Sequence, residues 1–200
     1  MTYRNANYTA FYVDESYSNG NLQTHFAKDF CYYQVLKLWK NIYESFPFID
    51  AHNKTYNVRD TSDWESTLKP RIHERLCMSK NIILILSSIT KESKALKEEI
   101  IYGIDKLGLP IIVAYPELSY VGFQNDFNNE AKNLWDKLPS FKSRIYNVPT
   151  AHIPFKKEYF KKALTDPRFS VTTKRDAYTI GLNSKADYDL HLFAQRHFRR

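Results

Sequence analysis

Glycine is scarce in this chain, five residues in 200, and the shortage excludes several sites. A phosphate cradle of the GxxxxGK[ST] type needs glycines that let backbone amides approach the phosphates, and no such run occurs. No GxGxxG follows the first apolar run, and no GxSxG turn exposes a serine nucleophile. An ordinary dehydrogenase or kinase is therefore disfavoured. Cysteine is sparser still. Cys31 and Cys77 stand outside any CxxC, and no histidine pair has metal-ligand spacing, so no zinc site is expected. Both cysteines fall in helical patterns beside apolar neighbours and are expected as buried free thiols. No apolar run approaches the roughly 20 residues of a spanning helix. The start, MTYRNANYTAFYVDESY, holds no signal-peptide core. These absences predict a soluble cytoplasmic protein with no membrane contact.

What is present suffices for a core: 43% hydrophobic and 16% aromatic residues rule out disorder by composition. The clearest stretch is 81–115. Asn81 to Leu86 is a β-branched apolar run, as a strand buried on both faces requires. Ser93 to Leu107 has helical spacing, with Leu96, Ile100, Ile104 and Leu107 on one stripe, and Gly108 is placed to stop it. Pro110 to Tyr115 is a second apolar strand, completing a βαβ unit. Before this unit, Tyr8 to Val13 reads as the first strand, and Thr24 to Phe46 as a helix facing inward through Phe26, Phe30, Tyr33 and Leu38. Pro47 to Ala51 reads as a short second strand. Ser62 and Glu65 form a capping box, and Trp64, Leu68, Ile72 and Leu76 follow at spacing four, with Pro70 kinking that helix or delaying its start. After it, Glu130 to Leu138 reads as a helix, Ala151 to Phe155 as the last strand, Lys156 to Leu164 as a basic helix, and Asp187 to His197 as a closing helix.

This alternation predicts an α/β protein: a doubly wound, mainly parallel five-stranded sheet with helices on both faces. The expected division is an α/β domain over 1–165 with a basic extension, 166–200, packed on it. Ligands of such sheets bind beyond the carboxyl ends of the strands. That edge carries Asp14, Ser16, Tyr17, Asn53, Lys54, Arg59, Asp60, Ser87 and Ser88, a set suited to hydroxyls, amides and phosphates. Lys54 and Arg59 could pair with a phosphate or be ordinary loop charges; Tyr17 could stack on a ring or be a half-buried loop aromatic. At about 100° per residue, Glu99 lies roughly 95° from the centre of the apolar helix stripe and Glu98 about 165° from it. Glu98 is thus expected in water and Glu99 at the border of core and surface, unless both are simply solvated charges.

Charge is uneven. The net is +7, and residues 156–200 hold eleven Lys/Arg against five Asp/Glu. Such a tail attracts nucleic acid, anionic membrane or an acidic partner, or serves solubility. No nucleic-acid motif accompanies it, and nucleic acid is disfavoured.

The order of elements, and above all SKNIILILSSITKESKALKEEIIYGIDKLGLPIIVAYP, resembles a TIR domain, closest to the ThsB group of the bacterial Thoeris antiphage system. Ser93, Glu99 and Ile100 match the family's Ser-x-Trp-Cys-x-x-Glu-Leu, with Ala95 and Leu96 in place of Trp-Cys. The resemblance spans roughly 8–155. It implies a TIR/flavodoxin-like fold, with Glu99 as the catalytic residue of an NAD glycohydrolase or ADP-ribosyl cyclase. Phe11, Asp14, Ser16, Tyr17, Asn53, Arg59 and Ser87 would bind the substrate. NAD would be substrate, with no cofactor and no metal. The product, a cyclic ADP-ribose-type diffusible nucleotide, would activate a partner effector after a phage component acts as trigger. Many TIR domains instead work without chemistry, by homo-oligomeric or other protein–protein assembly, and that alternative stays open.

Overall fold

The computed structural model describes residues 4–13, 28–52, 63–123, 126–171 and 179–181. Strand β1 (Ala6–Ala10) is wholly buried and is followed, after an interval, by helix α1 (Lys28–Ile42). A π-helical turn (Trp64–Leu68) leads into α2 (Lys69–Cys77), then β2 (Ser79–Ile85), α3 (Lys94–Ile101) and β3 (Ile111–Tyr115). A two-residue antiparallel pair, β4 (Gly122–Phe123) and β5 (Asp126–Phe127), precedes α4 (Asn129–Trp135) and α5 (Pro139–Lys142). The chain then forms β6 (Thr150–Pro154), α6 (Lys157–Thr165) and β7 (Thr179–Gly181).

The main sheet is parallel, in the order β1-β2-β3-β6-β7. Alternate residues feed two cores, so helices cover both faces. Tyr8, Leu84, Ile111 and Val113 pack with α2 and α3 through Ile72, Leu76, Leu96 and Ile100. Ile83, Ile85, Ile112 and Ile153 pack with α1 and α6 through Tyr33, Leu36, Phe160 and Leu164.

The expected second strand, 47–51, is not a strand. Only Asp50 bridges β1, opposite Asn7. Asn7 spends both its backbone groups there, its N–H donating to Ile49 O (2.7 Å) and its carbonyl accepting from Ala51 N (3.1 Å). The segment therefore lies on the edge of β1 away from β2, and the contact stays one residue deep, with Ile49 N, the next amide of such a ladder, taken by Asn7 Oδ1. The outermost strand on the other side is β7, which the sequence reading did not contain. It is only three residues long, too short for a periodicity to show.

Buried asparagines stitch these pieces together. Ile49 N donates to Asn7 Oδ1 (2.8 Å), Asn7 Nδ2 to Asn81 Oδ1 (2.8 Å), and Asn81 Nδ2 to Phe169 O (2.8 Å).

The central unit agrees with the sequence. Ser93 caps α3 by accepting from Leu96 N (3.2 Å). Beyond α3 a π turn (Tyr102–Lys106) runs to Gly108, whose φ of 61° is the left-handed conformation that glycine supplies without strain. Gly103 sits against the sheet so closely that a Cβ there would lie 2.4 Å from Ile82 Cδ1.

Other expectations need correction. Ser62 is outside the described residues, and the cap is Asp63, whose carboxylate accepts from Ser66 N (2.8 Å). Pro70 stands in the first turn of α2, and the helical run begins ahead of it with the π turn at Trp64, so its start is not delayed. Leu38 does not face inward but is 52% exposed, and Leu36 is buried in its place, because α1 carries two apolar stripes and periodicity does not say which meets the sheet. Cys31 is exposed and Cys77 half-buried, both as free thiols. The helix expected at 187–197, Phe26, and all of the extension except 166–171 and 179–181 lie outside the described residues.

The two stripes of α1 give a paired expectation. Leu36→Ala, which empties a fully buried site, should cost about 2–5 kcal/mol, whereas Leu38→Ala should stay within about 0.5 kcal/mol. Urea denaturation midpoints of the two variants check this.

Candidate active site

From β1 the chain first moves to the Asp50 edge, then returns across to β2 on the other side. The sequence of connections thus reverses direction at the carboxyl ends of β1 and β2, where open α/β sheets form their ligand crevice. Glu99, on α3, faces the middle of β1 on one side of the sheet. The hydroxyl of Tyr8, a fully buried residue of β1, donates to Glu99 Oε1 at 2.8 Å. Glu99 Oε2 is buried and has no hydrogen-bond partner among the described residues. Burial pushes the Glu99 carboxyl up to about 8, outweighing the Tyr8 hydrogen bond and the positive Arg75, which both favour ionisation. The Tyr8 hydroxyl is raised well above the usual phenol range, first by burial and then by the Glu99 charge.

His52 packs around the edge of β1, its ring centre 4.7 Å from that of Tyr8 and 5.7 Å from that of Tyr33. Its Nε2 lies 3.0 Å from Thr9 O. A carbonyl only accepts, so this network assigns the proton to Nε2 and leaves Nδ1 to accept from Arg75 Nη1 at 3.3 Å. Burial lowers the imidazole to about 4, with Arg75 and Lys37 adding to the effect and Asp50 opposing it, so His52 is neutral near pH 7.

A second buried acid closes the same edge. Asp29, in the first turn of α1, accepts from Ser87 Oγ (2.6 Å) and Thr90 Oγ1 (2.9 Å), and the Tyr12 backbone adds a further hydrogen bond. Burial nevertheless raises its carboxyl above the usual range. The adjoining Ser88 donates from N (2.9 Å) and Oγ (2.8 Å) to Glu117, joining the loops that follow β2 and β3.

The structure brings some of the expected residues to this edge and separates others. Glu99 and Tyr8 lie on the α2/α3 face. Phe11 is half-buried on the α1 face, stacked on Tyr33 with centroids 5.1 Å apart. Ser87 is fully buried, with its hydroxyl committed to Asp29. Asp14, Ser16, Tyr17, Asn53, Lys54, Arg59 and Asp60 lie outside the described residues. Glu98 does not stand free in water: it is half-buried, with Oε1 2.7 Å from His73 Nε2, and His73 stacks on Tyr102. The wheel placed it correctly relative to α3's own stripe but had no knowledge of α2 alongside.

Sequence reasoning missed Tyr8, Arg75, His52 and Asp29. A signal existed for Tyr8, since a tyrosine in a fully buried strand must find a partner for its hydroxyl. No comparable signal marked Arg75 or His52. His152, on β6, is also buried, with Nδ1 2.7 Å from the Tyr115 hydroxyl, which accepts from Trp135 Nε1 (2.6 Å). Burial lowers this imidazole to about 3.

The Glu99 proton has a consequence for stability. Its folded value, about 8, exceeds the ordinary 4.5, so the folded state holds the proton more tightly than the unfolded chain. That contribution is complete below pH 4.5 and is lost as pH rises toward 8. The slope should be about 1.4 kcal/mol per pH unit within this window. Glu99→Gln removes the dependence, so its stability relative to wild type should grow from pH 5 to pH 8. Denaturant unfolding of both proteins across that range checks the sign.

The family model described as Thoeris protein ThsB, TIR-like domain, matches residues 8–120. The match begins at Tyr8 and contains β2, α3 with Glu99, and β3. It covers more than half of the 200 residues, and the chain belongs to the Thoeris ThsB TIR-like domain family.

Proposed function

We propose that this protein processes NAD in Thoeris antiphage defence, with Glu99 as the catalytic residue. Family membership ties the chain to Thoeris, and one observation supports the chemistry. A carboxyl facing the first strand of the sheet has one oxygen held by Tyr8 and the other buried without a partner among the described residues. A group that exchanges its proton near neutrality in such a position is a candidate for catalysis.

In this reading the bond between nicotinamide and ribose breaks and its electron pair leaves with the nicotinamide. Positive charge develops on the ribose carbon, and ionised Glu99 stabilises it, as carboxylates do in glycoside cleavage. Attack by the molecule's own adenine or ribose closes a cyclic ADP-ribose isomer, whereas attack by water gives ADP-ribose. The cyclic product serves as a diffusible signal that activates a partner NADase effector, after a phage component triggers synthesis. Asp14, Ser16 and Tyr17 are assigned to the ribose, with Phe11, Asn53 and Arg59 completing the substrate contacts. Ser87 contributes through the loop shape it fixes with Asp29 rather than through a free hydroxyl. NAD is substrate here, and neither cofactor nor metal is invoked.

Glu99→Gln should fold normally and lower product formation at least about 10²-fold. Mass spectrometry of small molecules from phage-infected cells carrying wild type or the variant reads this directly; a variant as active as wild type rejects the mechanism. With the carboxylate as working form, wild-type kcat/KM should rise with pH through about 8.

A second reading, assembly without chemistry, is favoured by the exposed apolar positions Leu38 (52%), Ile42 (59%) and Ile49 (47%). Under it, Leu38→Glu would dissolve an assembly detected by light scattering, and Glu99→Gln would leave phage protection intact.

A further inference from the structure

We propose that Tyr8 is the positioning residue for Glu99, its hydroxyl fixing Oε1 and thereby the direction in which Oε2 points. Its bearing on catalysis rests on the reading of Glu99 as the reactive acid. The arrangement itself belongs to the free protein and is testable there.

Tyr8 is 1% exposed, in a strand buried along its whole length, so its ring has no freedom to swing away. Its hydroxyl reaches Glu99 Oε1 at 2.8 Å, across 91 positions of sequence. An ionised carboxylate needs donors for both oxygens when buried, and Oε2 has none among the described residues. A protonated Oε2 removes that cost and becomes a donor awaiting an acceptor. Two titratable or charged groups bear on this oxygen pair, Tyr8 from β1 and Arg75 from α2, while Glu98, next to it on α3, is engaged by His73. Tyr8 donates to Glu99 in either state and more strongly to the ionised one. It therefore holds the acid in place while easing its ionisation when positive charge develops nearby.

The test is the titration of Glu99 in the full chain without NAD, read from the side-chain carboxyl carbon by NMR and assigned by its loss in Glu99→Gln. In wild type the midpoint is expected near 8. Tyr8→Phe should raise it by about one pH unit, the loss of one hydrogen bond to a charged group. Should that variant fail to fold, 3-fluorotyrosine at position 8, a stronger donor of the same shape, should lower the midpoint instead. A midpoint that neither change moves, or a wild-type value at the ordinary 4.5, overturns the proposal. NAD turnover is measured separately, with and without lysate of phage-infected cells: the titration shift with no turnover in either discards the NAD reading and keeps Tyr8 in its role.

Discussion

Two buried amides, Asn7 and Asn81, set the register on which the rest of the molecule depends. Their side chains link the Ile49 segment, β1, β2 and the Phe169 segment in one line of hydrogen bonds. Slipping β1 by one residue would turn Asn7 to the opposite face and strand its two partners, Ile49 N and Asn81 Oδ1, in an apolar layer, a cost well above that of the lost bonds. Because the register holds, Tyr8 must face α3 and Phe11 must face α1. The direction of the residue that touches Glu99 is thus decided by the polar residue beside it.

The two faces then divide the carboxyl edge between different chemistries. One face presents an acid, a phenol and a guanidinium in a largely apolar layer. The other presents stacked rings, Phe11 on Tyr33, with Tyr33 donating to Asp50 at 2.6 Å. His52 stands where the two meet and bonds to Thr9 on the strand and Arg75 on α2. Asp29 does for the loops what the asparagines do for the strands, drawing the exits of β1 and β2 to the start of α1. Its own carboxyl bears the desolvation this requires.

The sequence was most legible where local pattern and tertiary role coincide. The run from Asn81 to Tyr115 has the strand, cap, helix, glycine stop and strand that its periodicity announces, and Glu99 stands out there as a border position. Legibility failed where the deciding partner is remote. Nothing near Leu38 tells which stripe of α1 meets the sheet, and nothing near Glu98 reveals His73 on the neighbouring helix. Tyr8 and Glu99 are linked only by folding. Pro47 to Ala51 read as a strand because apolar residues surround Asp50, yet one bridge is all that forms. The family resemblance supplied what local reasoning did not, a reason to prefer Glu99 over an ordinary surface acid, and the family match over 8–120 supports that kinship.

The contact between Gly103 and Ile82 carries an evolutionary corollary. A methyl group at 103 would meet the end of the isoleucine, and the sheet behind it leaves little room for retreat. Among descendants of this sequence, enlargement at 103 requires the end of the side chain at 82 to move or to shorten. Coupling between the two sites would record how near the turn after α3 is drawn to β2.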